Sequence, residues 1–151
     1  MDRLVAARLV DLDSVRERVT AMRGAGSAQA RQVATLADGL AESPQETRLR
    51  LLLHRSGLPA PVAQHVVRDD AGRFVARVDF AWPGLRVALE YDGLWHAEDG
   101  QFAKDRERLN RLREAGWVVV FVTAADLHRP ERLLRRIAEA LAGAPVVHSS
   151  W

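Results

Sequence analysis

Two short, almost entirely apolar runs limit what this chain can fold into. They cover residues 85–91 and residues 117–123. Runs of this length and composition are typical of strands that are buried on both faces of a sheet. The polar stretch between them has the spacing of an amphipathic helix and ends at Gly116. Both runs are therefore expected to enter one sheet, joined by a helix that packs on it.

The preceding segment predicts two more strands. Apolar and polar residues alternate through residues 74–80, which is the period of a half-buried strand. The turn signal at residues 69–72 separates this strand from an earlier β-rich run, and Trp-Pro-Gly at residues 82–84 is interpreted as the next turn. A meander followed by a helix and a fourth strand predicts an α/β fold with a mixed sheet.

Helices are predicted both before and after the strands in the sequence. The N-terminal segment shows two apolar stripes at helical spacing, and either Asp13 or Ser14 can cap the first of them. A third helix is expected to begin at Ser43, where Glu46 closes a capping box. A last helix is expected to end by residue 143.

Composition excludes several classes of protein. The 151 residues include no cysteine, which leaves no disulfide and no thiolate metal site. No apolar run approaches the ~20 residues that cross a bilayer, and the N-terminus does not resemble a signal peptide. We therefore expect a cytoplasmic protein with no membrane association. The net charge of +2 permits a polyanionic partner without requiring one.

Acidic residues stand where the central strands end. Glu90 and Asp92 are two residues apart, so they share a face if the strand continues through Asp92. Asp79 lies on the neighbouring strand and is expected opposite or diagonal to Glu90. Carboxylates this close repel each other unless a cation lies between them. Mg²⁺ suits such a place because it takes oxygen ligands.

Ordinary structural roles also account for these acids. Asp79 can begin a turn or pair with Arg77 or Arg86. Glu90 can pair with an arginine of the following helix, which contains Arg106 and Arg108. Taken together, however, acids at the ends of central strands are costly to bury without a partner, which favours a cation site.

A set of motifs runs through residues 42–141. The motifs are Ser43-Pro44-Gln45-Glu46 with Arg48, Asp79-Phe80, Glu90-Tyr91-Asp92-Gly93, Trp95-His96, Asp105, Arg108, Leu112 and Gly116-Trp117. This combination resembles the very-short-patch repair endonucleases and a large bacterial family of uncharacterised relatives, both within the PD-(D/E)XK nuclease superfamily. The combined pattern is fairly specific, whereas each piece alone is weak. The resemblance implies a restriction-endonuclease-like mixed sheet with an αβββαβ core.

The resemblance also implies a role for each matching residue. Asp79 and Glu90 match the metal-binding acids of the two half-motifs, and Asp92 lies beside them. His96 matches a histidine that resembles a general base in the repair enzymes. Asp105 matches an acid that orients this histidine.

Further expectations follow from the same resemblance. Glu46 matches a first-helix acid that often completes such sites, although its capping role already explains it. Asp92 replaces the lysine of the superfamily, so that Lys104 or Arg108 would have to supply the missing charge. Arg48, Lys104 and Arg108 are expected to clamp a nucleic-acid backbone.

These features predict a metal-dependent endonuclease that hydrolyses DNA phosphodiester bonds with Mg²⁺ or Mn²⁺. Loss of the lysine favours an alternative, a non-catalytic module that binds nucleic acid, a protein partner or a second copy in a defence or toxin–antitoxin system. A third interpretation is a structural domain whose acids only pair with arginines. We expect a helical extension over residues 1–41, the nuclease-like domain over 42–143 and a flexible tail over 144–151.

Overall fold

The computed structural model describes residues 1–92 and 101–144, the latter without the side chains of residues 101–103. The chain divides into two compact units between Leu51 and Leu52. The boundary expected at residue 42, between the helical extension and the nuclease-like domain, stays a prediction. The expected tail, beyond residue 144, lies outside the described residues.

Helices make up the first unit. They are α1 (Asp2–Ala6), α2 (Leu12–Ala21), α3 (Ser27–Leu36) and most of α4 (Pro44–Arg55), which continues past the boundary. Residues 1–41 were predicted to be helical, but α1 was not predicted as a separate helix, because five residues are too few to show a helical period.

The caps of α2 and α4 differ in detail from those predicted. Asp11 caps α2, since its Oδ2 accepts a hydrogen bond from the Ser14 N–H at 2.8 Å. The choice of Asp13 or Ser14 was wrong because the helix begins before both residues. At α4 the Glu46 N–H donates to Ser43 Oγ at 3.1 Å, as predicted. The Glu46 carboxylate, however, accepts from the N–H of Glu42 at 2.9 Å, one residue before Ser43.

A buried ion network ties the first unit together. Arg50 donates to Asp2 at 2.7 Å and lies 3.1 Å from Asp38. Thr47 donates to the same Asp2 carboxylate at 2.9 Å, and Arg50 also donates to the carbonyl of Leu36. The network joins α1, α4 and the segment after α3. Nothing in the local sequence pattern indicated it.

Within the described residues of the second unit, four strands form one mixed sheet. They are β1 (Val62–Arg68), β2 (Phe74–Trp82), β3 (Val87–Tyr91) and β4 (Val118–Val122), in the spatial order β1-β2-β3-β4. The first two pairings are antiparallel and the third is parallel. The predicted mixed α/β class is therefore confirmed.

The turn before β3 lies later than the sequence indicated. Trp82 belongs to β2 and pairs with Val87. The reversal consists of a 3₁₀ turn, Pro83–Leu85, followed by Arg86 with φ +46°. The apolar character of Leu85 extended the predicted strand too far, because Pro83 already commits the chain to the turn.

Helices on the sheet position the ends of its central strands. Helix α5 (Gln101–Glu114) connects β3 to β4, and α6 (Ala124–Leu127) and α7 (Pro130–Gly143) follow. One core cluster consists of Val67, Val75, Ala76, Val78, Ala81, Ala88, Leu112 and Trp117. Leu112 thus anchors α5 beside β2 and β3. None of the helices in the described part of the chain is long and apolar enough to cross a membrane.

Candidate active site

Asp79 and Glu90 come together across the two central strands. The antiparallel register pairs Phe80 with Leu89, so one further step brings Asp79 opposite Glu90 on the other face. Asp79 Oδ2 accepts a hydrogen bond from the Tyr91 N–H at 2.8 Å. This bond lies next to the Phe80–Leu89 pair of the β2–β3 ladder. The structure therefore supports the predicted proximity of the two acids.

Arg108 of α5 holds Glu90 through two charge-assisted hydrogen bonds. Its Nη1 donates to Oε2 at 2.8 Å and its Nη2 to Oε1 at 2.6 Å. Nη2 also donates to the carbonyl of Arg77 at 2.9 Å. The Glu90 side chain is 11% exposed and that of Arg108 is 31% exposed. The alternative in which Glu90 pairs with an arginine of the following helix is confirmed.

The charge of Arg108 is stabilised by several carboxylates at once. The hydrogen bonds to Glu90 are the main cause that raises the pKa of Arg108 above its ordinary value. The charges of Glu90, Asp79 and Asp105 raise this pKa further, whereas burial lowers it. A permanent cation therefore stands among acids for which the sequence predicted a metal ion.

A cavity of about 350 Å³ opens beside this ion pair. Such a volume lies at the lower end of the range for small-molecule sites. Asp92 is exposed immediately after β3, and its N–H donates to the carbonyl of Val122 at 2.7 Å. The cavity is lined by Glu90, Tyr91, Asp92, Asp105, Arg108, Leu109 and Phe121. Acidic, cationic and apolar groups thus meet in one cleft.

The other predicted site residues have different surroundings. Lys104 is exposed on α5, one turn before Arg108. Glu46 is buried in the first unit and serves the start of α4. Arg48 is exposed in that unit and donates to Gln45 Oε1 at 3.4 Å. His96 lies outside the described residues.

The oxygen donors suit Mg²⁺ or Mn²⁺ in their chemistry. Within residues 1–92 and 101–144, however, no group of three or more metal-ligating side chains is assembled. Arg108 already engages both oxygens of Glu90. Asp79, Glu90 and Asp92 therefore fit a divalent ion by donor type, and Glu90 would first have to exchange its partner.

Phe121 is a cavity residue that sequence reasoning missed. It lies in the apolar run of β4 but is 38% exposed. The parallel register pairs it with Glu90, so both side chains point to one face of the sheet. The two apolar runs have the same length, so the sequence does not show which residue of β4 pairs with Glu90. That pairing depends on the length and packing of α5.

Replacing Glu90 with Gln is expected to lower the free energy of unfolding by about 2 kcal/mol in the absence of metal. The change leaves the guanidinium of Arg108 without its anion, although partial exposure of Arg108 limits the loss. Urea denaturation in EDTA measures the effect. Glu107→Gln, at an exposed position of α5, is the control and should change stability by less than about 0.5 kcal/mol. A more stable Glu90→Gln variant would contradict a stabilising ion pair.

Comparison with known proteins finds relatives in one bacterium. The chain is 41% identical over 118 residues to the uncharacterized protein MT2308 of Mycobacterium tuberculosis strain CDC 1551 / Oshkosh, and equally to the uncharacterized protein Rv2248 of strain ATCC 25618 / H37Rv. The match covers 77% of this chain but only 43% of each relative. No family model matches the chain. No solved structure matches it either.

Proposed function

We propose that this chain is a metal-dependent endonuclease with a restriction-endonuclease-like fold, and that it hydrolyses DNA phosphodiester bonds. The observation that carries the proposal is the opposition of Asp79 and Glu90 on the central strands, beside an open cavity. The order of elements from α4 to β4 is helix, three strands, helix and strand. This order agrees with the αβββαβ core that the sequence resemblance implies.

Glu90, Asp92 and Asp105 line the cavity, and Asp79 lies opposite Glu90 on the neighbouring strand. Asp79 and Glu90 would hold Mg²⁺ or Mn²⁺, with Asp92 next to them. A divalent ion held there would lower the pKa of an attacking water molecule and neutralise charge on the phosphate. Asp105 lines the same cavity and can orient a polar group there. The role of His96 as general base stays a prediction.

The direct test is nicking of supercoiled plasmid DNA by the full chain with Mg²⁺ or Mn²⁺. The proposal expects conversion to the open-circular form with either metal and none in EDTA. Unchanged plasmid with both metals, over a range of protein concentrations and pH, would contradict it. Linear duplex, single-stranded DNA and RNA substrates then define the preferred polymer.

Replacing Lys104 with Ala is expected to weaken duplex binding about equally for unrelated sequences. An exposed cation contacts phosphates without reading bases, so the slope of log affinity against log salt should fall by about 1. Fluorescence anisotropy in EDTA measures both quantities without cleavage. Arg73→Ala, which removes an exposed cation from the β1–β2 turn, is the control. Equal effects of the two changes would contradict a local role for Lys104.

A second candidate function is a non-catalytic module that binds nucleic acid or a protein partner. The observation that favours it is the engagement of both Glu90 oxygens by Arg108. Calorimetric titration with Mn²⁺ separates the two functions. A nuclease should show a metal site that disappears in Asp79→Ala, whereas the binding module should show no such acid-dependent site.

A further inference from the structure

Arg108 already binds the Glu90 carboxylate, which a metal ion would need as a ligand. Its two nitrogens contact both Glu90 oxygens at 2.6 and 2.8 Å. This two-point contact uses the carboxylate as fully as a single partner can. A divalent ion on the same oxygens would stand next to a guanidinium of like charge, so the two cations oppose each other.

The same arginine explains how the acids coexist in the metal-free protein. Asp79, Glu90 and Asp105 all act on the charge of Arg108. Without a cation among them, their mutual repulsion would oppose folding of this edge of the sheet. Arg108 thus supplies internally the positive charge that a bound metal supplies in a loaded site.

Arg108 has room to leave Glu90 without movement of its helix. Its side chain is 31% exposed and lines the 350 Å³ cavity. It also donates a hydrogen bond to the carbonyl of Arg77 at 2.9 Å. Leu112, one turn further along α5, is fully buried and keeps the helix in place. We therefore expect rotation of the Arg108 side chain alone to be sufficient to free the carboxylate.

We infer that Arg108 is an exchangeable counter-ion, which holds Glu90 in the metal-free protein and gives it up to a divalent metal ion. The inference rests on the proposed function in that it takes Asp79 and Glu90 as the metal-binding acids. Arg108 is a positioning residue in this scheme, because it acts through Glu90. Metal loading and release of Arg108 are then one coupled event.

The first experiment titrates variants of the 151-residue chain with Mn²⁺ by calorimetry. Arg108→Gln should bind Mn²⁺ about 10-fold more tightly than the wild type, since the competing cation is gone. Arg108→Lys keeps the charge without the planar fork and should fall between the two. Arg111→Gln, an exposed change of equal charge on the same helix, should bind as the wild type does. Equal or weaker binding by a folded Arg108→Gln variant would overturn the inference.

A second experiment needs no variant of Arg108. Nuclear magnetic resonance of the wild type, with the guanidinium signals of Arg108 assigned, should show Arg108 protons that exchange slowly with water, because Glu90 holds them. Addition of Mg²⁺ should remove this protection. Protection that persists at saturating Mg²⁺ would overturn the exchange even if Arg108→Gln fails to fold.

The outcomes separate this inference from the proposed function. Metal-dependent nicking by the wild type, without tighter Mn²⁺ binding in Arg108→Gln, would leave the function standing and overturn the exchange. Tight Mn²⁺ binding by Arg108→Gln, with no metal binding or nicking by the wild type, would make Arg108 a permanent block of the site and overturn both the exchange and the nuclease. Absence of Mn²⁺ binding in both proteins would overturn both.

Discussion

Replacing Asp79 with Asn is expected to reduce metal-dependent nicking of supercoiled plasmid at least about 100-fold, since changes to groups that only support a metal ligand already cost ~10–100-fold. The new amide oxygen can still accept the hydrogen bond from the Tyr91 N–H, which the carboxylate accepts at 2.8 Å. The fold should therefore persist while the charge that holds the metal is lost. Asp79→Ala and Glu90→Ala should be equally inactive.

The design of this assay distinguishes three results. Loss of nicking in all acid variants, with normal nicking by Glu107→Gln, would establish that the acids hold the metal. Equal residual nicking in every preparation would identify a contaminating nuclease. Full activity of folded Asp79→Asn would remove Asp79 from the site.

Replacing Arg50 with Ala is expected to lower the free energy of unfolding of the first unit by about 3 kcal/mol. Asp2 is only 2% exposed in its side chain and pairs with Arg50 at 2.7 Å. Removal of Arg50 leaves this carboxylate buried with Thr47 as its remaining side-chain partner. Urea denaturation, followed by amide hydrogen exchange in α1 and α3, measures the effect where it arises.

Arg48→Ala is the matched control for Arg50. Arg48 lies on the same helix but is exposed, and it donates a long hydrogen bond to Gln45 at 3.4 Å. It should cost less than about 0.5 kcal/mol. Similar losses in the two variants would show that the buried network does not stabilise the unit.

The free energy of unfolding is also expected to depend on pH through the Asp2–Arg50 network. Burial alone raises the pKa of Asp2, but hydrogen bonds from Arg50 and Thr47 and the charge of Arg50 bring it below the ordinary value of 3.8. The unfolded chain therefore binds this proton at higher pH than the folded one does. The stabilisation that the ionised Asp2 provides is therefore present above pH 3.8. It is lost as the pH falls through the lower pKa of Asp2 in the folded protein. Arg50→Ala should lose part of this dependence.

Local signals account for the parts of the fold that were predicted correctly. The turn at residues 69–72 is present, where Asp69 Oδ1 accepts from the N–H groups of Ala71 and Arg73. Strands β3 and β4 lie in the two apolar runs, and a helix joins them. Alternation, apolar runs and turn residues act over a few positions, so a single sequence displays them directly.

Pairings between distant positions needed the tertiary structure. Glu90 and Arg108 are 18 positions apart, and Asp2 and Arg50 are 48 apart. The sequence by itself determined the mixed α/β class, the order of the central elements and the acids at the strand ends. Only the tertiary structure decided which arginine meets Glu90, that Phe121 shares its cleft, and that Asp2 is buried. The reason is physical: local periodicity fixes which face of an element is apolar, whereas register and helix packing decide which side chains meet.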